Sequence, residues 1–380
     1  MNRKKNSLDL KSVLAGAALG AGVASYIALK YSQDPYNTFS QKRRDRSLSL
    51  ALENARRDER IVLGARHRFI IFSDMHKGIG NPADSFPQCR ATYLAALDHY
   101  LEEGFTLVVL GDAEELWEES VAEVIDHNRD VLQSEARFYP EHYIRITGNH
   151  DNAWEDPLLV QQYLDEFFPG IVPRRAILLE FSATPSQPAG GEILLAHGHQ
   201  GTLDSDFFDF VPPVILPLYR NFQNKTNFGR TNPSQDVCLR SIQDNQMYRW
   251  VSRQPGLILI AGHTHRPIWS SMSHLERLVA RLSALLELAP EDQPSDYAQQ
   301  IAGLTLEIRE REQKYPPCHD TIKTRPSYFN TGCCVYDDGD ITGIEIQNGR
   351  IRLVKWGARG QKIVRSPLEE APLAEIFARL

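Results

Sequence analysis

Apolar residues in this chain gather in short runs, and the gaps between runs have room for a helix. Phe69–Phe72, Thr106–Leu110, Tyr143–Ile146, Ile177–Phe181, Ile193–Ala196 and Leu257–Ala261 have the length and composition of buried strands. Between the first two, Tyr93, Leu94, Leu97, Tyr100 and Leu101 recur at helical spacing over 90–103. A further helical stretch is predicted from about residue 114 to residue 136. Ile177–Phe181 and Ile193–Ala196 read as a pair around a loop rich in Pro, Gly and Ser. Strands alternating with helices predict the α/β class, with a mostly parallel sheet covered by helices. Later, Ile341–Ile346 and Ile351–Trp356 are joined through Asn348-Gly349, which predicts a hairpin with a structural rather than a functional role.

Some segments break this rhythm. Residues 203–250 are rich in aromatics, Asn and Arg around an apolar, Pro-studded patch at 211–218. Residues 273–314 are helical in pattern, with Leu275, Leu278, Val279, Leu282, Leu285 and Leu286, then a Pro break before Tyr297–Lys314. Both read as insertions, about 203–250 and 273–322, that cover or flank a site within a main domain at 67–360. Residues 361–380 read as a tail, and 31–66 as a linker followed by an exposed helix.

Residues 1–30 stand apart. Arg3, Lys4 and Lys5 precede an uncharged, Gly/Ala-rich run, Ser12–Leu29, which Lys30 closes. Its length is at the lower limit for a membrane span, and Gly16 and Gly20 form a small-xxx-small pair suited to helix association in a bilayer. We read a membrane contact through 12–29, with a secretory signal cleaved near Gly22–Ala24 or a soluble leader as the alternatives. Basic residues flank the run on both sides, so charge does not set its orientation.

Composition narrows the classes. Of 380 residues, 42% are hydrophobic and 24% charged, which is ordinary for a globular protein. A formal net charge of −7 argues against a general nucleic-acid-gripping surface. The five Cys are odd in number and lack a CxxC pair. Cys333 and Cys334, adjacent in an expected strand, would point to opposite faces, so a disulfide framework is not indicated. Free thiols favour a catalytic domain in the cytoplasm or on the cytoplasmic face of the inner membrane, with secretion as the alternative.

The chemistry lies at the strand ends. Each of five strands runs into a short polar motif: Asp74-Met-His76, Gly111-Asp112, Gly148-Asn149-His150-Asp151, His197-Gly-His199 and Gly262-His263-Thr-His265. Singly each is weak, since Gly-Asp is an ordinary turn and a buried His is usually a hydrogen-bonded core residue. Together they are specific, because a strand-end rim brings residues distant in sequence to one place. Mixed imidazole and carboxylate ligands suit divalent transition metals such as Mn, Fe, Zn or Ni. So many ligands exceed one tetrahedral site and fit two ions about 3.5–4 Å apart that share a carboxylate. Asp112 is the expected shared group. His199 reads equally as a substrate-facing residue or as a structural one.

From Phe69 to Trp356 these motifs resemble the calcineurin-like metallophosphoesterase superfamily. The resemblance implies a four-layer α/β/β/α sandwich with helical insertions and a site for two divalent ions, Mn first among the metals named above. It implies hydrolysis of a phosphate ester or pyrophosphate through a metal-bridging hydroxide. Carried over by motif, Asp74, His76, Asp112 and His265 would hold one ion, and Asp112, Asn149, His197 and His263 the other. His150 would act beside the leaving oxygen, with Asp151 orienting it. Gly111-Asp112-Ala-Glu-Glu115-Leu-Trp117 and Gly262–Pro267 are similar to motifs of the UDP-2,3-diacylglucosamine hydrolase branch. That implies a lipid-linked nucleotide pyrophosphatase as an alternative within the superfamily, although His150 and His199 replace the Arg and Asp common in that branch. The substrate would be a phosphorylated small molecule or a lipid-linked one. Lys77, Arg266, Lys225 and Arg230 are candidate phosphate contacts. A metal-free interaction scaffold on the same fold is the rival of another class.

Overall fold

The computed structural model describes residues 38–58, 60–64, 67–182, 190–202, 237–314 and 323–380. Residues 12–29, the patch at 211–218, Lys225 and Arg230 lie outside these. Among the described residues no helix is long and apolar enough to cross a membrane.

The strands are β1 (Ile61–Val62), β2 (Arg68–Phe72), β3 (Thr106–Leu110), β4 (Tyr143–Ile146), β5 (Ala176–Phe181), β6 (Gly191–Ala196), β7 (Leu257–Ala261), β8 (Ile268–Trp269), β9 (Met272–Ser273), β10 (Tyr328–Asn330), β11 (Ile341–Gln347), β12 (Arg350–Arg359) and β13 (Lys362–Pro372). The helices are α1 (Thr38–Arg57), α2 (Arg90–Glu102), α3 (Val121–His127), α4 (Arg129–Ala136), α5 (Pro157–Tyr163), α6 (Val237–Val251), α7 (His274–Leu286), α8 (Tyr297–Lys314) and α9 (Leu373–Phe377).

These strands form two sheets, in the orders β1-β5-β6-β7-β10-β8-β9 and β13-β12-β11-β2-β3-β4. The periodicity alone predicts one mostly parallel sheet. Instead β2, β3 and β4 pair in parallel, while β11, β12 and β13 extend the same sheet antiparallel.

Alternation along the strands produces four layers. Phe69 and Ile71 of β2 belong to a buried cluster with Ile177, Ile193, Ile258 and Ile260 of the other sheet. Ile70 and Phe72 belong to a second cluster with Tyr93 and Leu97 of α2 and Leu132 of α4. The far face of the seven-stranded sheet buries Leu178, Leu194 and Leu259 against α1 and α6. Successive strand residues point to opposite faces, so strands apolar on both faces are covered on both. The order is helices, sheet, sheet, helices, as the resemblance implies.

Several expectations need correction. α1 is not an exposed helix: Leu48, Leu52 and Ala55 are buried in the layer shared with α6. Residues 361–380 are not a loose tail, because β13 pairs with β12 and α9 returns to the inter-sheet core through Leu373, Ile376 and Phe377. α6 is part of a covering layer rather than of an insertion. The 114–136 stretch divides into α3 and α4, with Ser120 capping the first by accepting from Glu123 N. Cys333 and Cys334 lie in the loop after β10, not in a strand. The insertion at 273–314 is a pair of helices, α7 and α8, with a small core of Leu278, Leu304 and Ile308.

Candidate active site

The parallel strands β2, β3 and β4 deliver Asp74 and His76, Asp112, and Asn149 to one rim. The loops after β2 and β3 are joined by main-chain bonds, Asp74 N to Gly111 O at 3.1 Å, His76 N to Asp112 O at 2.9 Å and Lys77 N to Ala113 O at 2.9 Å. From the other sheet, β6 supplies His197, and β7 supplies His263 and His265. Gly262 N donates to His197 O at 2.9 Å and so couples those two loops.

The backbone at this rim is unusual. Asp74, His76, Asp112, His263 and His265 have φ of 56°, 46°, 51°, 68° and 53°. Left-handed φ is sparsely populated by residues other than glycine, and clusters of it mark functional sites. Here it falls on the residues whose side chains meet.

The side chains converge. Asp74, His76 and His265 offer ligand atoms that all lie within 4.8 Å of one another, and so do Asp112, His197 and His263. His265 Nε2 is 3.2 Å from Asp74 Oδ1 and 3.1 Å from His76 Nε2. Asp112 Oδ2 is 3.0 Å from His197 Nε2 and 3.7 Å from His76 Nε2, so it faces both groups. Its other oxygen, Oδ1, accepts from His150 N at 2.8 Å. Asp74 accepts from His263 N, at 3.1 Å to Oδ1 and 3.0 Å to Oδ2.

The donor set fits divalent cations. Asn149 Oδ1 and His263 Nε2 are buried and make no hydrogen bond, and His197 Nε2, also buried, faces Asp112 Oδ2 at 3.0 Å. Buried polar atoms without a hydrogen bond are costly, and an ion is one explanation of them. His197 Nδ1 lies 2.8 Å from Leu110 O, which accepts its proton and turns Nε2 towards the carboxylates. His76 has the same arrangement, with Nδ1 3.0 Å from Glu115 Oε2. Fixing the tautomer from behind is how imidazole ligands are held. Burial, then Asp112 and Asp74, act on His197, and the two carboxylates prevail to bring its pKa up to about 9. A cation held by these carboxylates would take the place of that proton, since imidazole binds a metal in its neutral form.

Glycine makes room for Asp112. A Cβ on Gly148 would lie 2.5 Å from Asp112 N and closer still to Asp112 Oδ1. Gly148→Ala is therefore expected to displace Asp112 and lower metal affinity about 10–100-fold, the range for lost support of a ligand. Titration of the variant with Mn²⁺ checks this, and wild-type affinity would show that the loop yields freely.

His150 sits beside the ligands, and its Nδ1 is 2.8 Å and 2.7 Å from the two oxygens of Glu115. Burial disfavours its charged form, but Glu115 and Asp112 carry its pKa up to about 10. Trp117 stacks on it, with ring centroids 4.2 Å apart and 22° between planes. Asp151 does not orient this ring. Its carboxylate accepts from Gly148 N at 2.6 Å and Ala113 N at 2.9 Å, tying two ligand loops together. The partner of His150 is Glu115, a residue whose only signal in the sequence is its place in the Gly-Asp-x-x-Glu-x-Trp motif.

Lys77 is not a phosphate contact. It is fully buried and pairs with Glu135 at 2.7 Å and Glu114 at 3.1 Å. Arg266 is partly exposed beside His265 and donates to Ser241 Oγ. His199 lies with its ring 5.4 Å from that of His197, and burial together with His197 pushes its pKa down to about 3.

Comparison with known proteins bears on this geometry. The family model described as calcineurin-like phosphoesterase matches residues 67–267, which is more than half of the chain. The chain belongs to the calcineurin-like phosphoesterase family. That family is metal-dependent, and the clustered potential ligands found here accord with it. Among solved structures, vacuolar protein sorting 29 from Cryptosporidium parvum is similar at 10% identity, covering 80% of this chain and 98% of that one with a TM-score of 0.31. No curated protein matches the chain.

Proposed function

We propose that this phosphoesterase uses two divalent ions held by Asp74, His76, Asp112 and His265 on one side and Asp112, Asn149, His197 and His263 on the other. The observation that carries this reading is that buried Asn149 Oδ1 and His263 Nε2 make no hydrogen bond, together with His197 Nε2 and a carboxylate that faces both groups. When bound, such ions supply Lewis acidity and an activated water for in-line attack on phosphorus.

The protein's own groups do the rest. Asp74, Asp112 and Glu115 would by themselves repel a phosphate, so cations are needed for substrate to enter. Asn149 contributes an oxygen without adding charge. Glu115 holds the Nδ1 protons of both His76 and His150, leaving Nε2 of His76 for a ligand role. It also stabilises the imidazolium of His150, which can donate a proton to the leaving oxygen at the rim. Trp117 restricts that ring to one plane.

Mn is our first choice of metal, with Fe, Zn and Ni next on the donor chemistry. A lipid-linked nucleotide pyrophosphate is a second reading of the substrate, favoured by Glu115 and Trp117 of the Gly-Asp-x-x-Glu-x-Trp motif lying against His150. The test is elemental analysis with a screen of these metals against aryl phosphates, phosphodiesters and pyrophosphates. We expect bound metal and metal-dependent hydrolysis. A protein without metal, inert after Mn²⁺ addition, would instead be the interaction scaffold.

A further inference from the structure

We propose that α1, which precedes the family-matched stretch, is a working part of the metal centre, with Arg43 and Arg44 positioning the loop that carries His197. The proposal rests on the metal-site reading above. Arg44 is 2% exposed, and its Nη1–H donates to Gly198 O at 2.6 Å, the carbonyl next after the ligand residue. Its Nε–H donates to Gln246 Oε1 at 3.2 Å on α6. Arg43 donates through Nε–H to Gly201 O at 3.0 Å. Two consecutive arginines therefore hold both ends of the 198–201 turn.

The contact is backbone on backbone. Gly201 has φ of +77°, and a Cβ there would lie 2.5 Å from Arg44 Cα. The helix in turn is fixed to α6, through Gln41 Nε2 to Gln246 O at 3.1 Å and Trp250 Nε1 to Ser49 Oγ at 3.1 Å. A guanidinium is a planar fork of donors and fixes the direction of the carbonyls it binds, which a flexible ammonium does less well. Inside the site His197 is held by Leu110 O and by Gly262 N; outside it, Arg44 fixes the following peptide. Arg43 and Arg44 act through the backbone of the loop. They are positioning residues.

The experiment uses the full chain with Arg44→Met, Arg44→Lys and Leu52→Ala, the last loosening α1 away from the loop. The half-saturating Mn²⁺ concentration for aryl phosphate hydrolysis is expected to rise about 10–100-fold in Arg44→Met, as for other lost supports of a ligand. Arg44→Lys should recover part of it. Leu52→Ala should lower the thermal midpoint and leave half-saturation unchanged. Equal half-saturation in Arg44→Met and wild type overturns the proposal, as does an equal shift in Leu52→Ala, which would make α1 a cover alone. If Arg44→Met does not fold, Arg43→Gln carries the same comparison. Hydrogen exchange at the amides of 198–202 reads the clamp without metal or catalysis, and faster exchange is expected in the arginine variants only. A wild-type chain that binds no Mn²⁺ defeats the phosphoesterase reading, while the exchange result still decides the role of Arg44.

Discussion

Asp112→Ala is expected to lower metal-dependent phosphate ester hydrolysis at least about 10³-fold, a loss of about 4 kcal/mol of transition-state stabilisation. The size follows from its position. Oδ2 faces His76 and His197 from the two groups of candidate ligands, so under the proposed function one substitution removes a ligand from both. The fold should survive. Asp112 gives the apo protein one acceptor for His150 N, and losing such a bond costs about 1–3 kcal/mol. Circular dichroism and metal content, measured beside activity, separate the outcomes. Retained hydrolysis with retained metal would remove Asp112 from the centre.

The largest effect on stability is expected at Glu114, beneath the rim. Glu114 Oε2 accepts from Arg145 and from Trp154 Nε1, and Oε1 lies 3.1 Å from Lys77 Nζ. Glu135 completes the group, accepting from Lys77 Nζ at 2.7 Å, Tyr93 OH at 3.1 Å and Tyr143 OH at 3.0 Å. All four charged side chains are fully buried. Removing one anion leaves two buried cations with a single partner, which costs about 3–5 kcal/mol. Glu114→Ala should therefore lower the thermal midpoint by about 5–15 °C. A midpoint equal to wild type would mean that water enters and solvates Lys77 and Arg145. The network ties the chain after β2 and β3 to β4, so the variant should lose metal affinity too.

Much of this site is legible in the sequence because strand and ligand lie next to each other. Thr106–Leu110 and Leu257–Ala261 have the same bounds in sequence and structure, and each leads directly into candidate ligand residues. Partners brought together by loop folding are not legible. Asp151 follows His150 and suggests itself as its partner, yet the turn points its carboxylate at backbone N–H groups. Glu115 comes from another strand end, and no local pattern reveals the pairing. The burial of α1 is hidden because its buried stripe is narrow, just Arg44, Leu48, Leu52 and Ala55 amid charged neighbours. β13 is hidden for another reason: Pro367, Glu369 and Glu370 suit an edge strand and carry a weak apolar signal.

The pairing of β11 with β2 bears on how the chain is made. Ile344 lies opposite Ile71, and Ile346 opposite Phe69. β2 therefore keeps an open edge during synthesis until Ile341–Gln347 have left the ribosome. Such long-range closure slows folding, and an unpaired edge invites association between nascent chains. The strand leading to Asp74 is thus made well before the strand that encloses it. A chaperone holding the nascent chain over that interval would guard the assembly of the rim that carries Asp74.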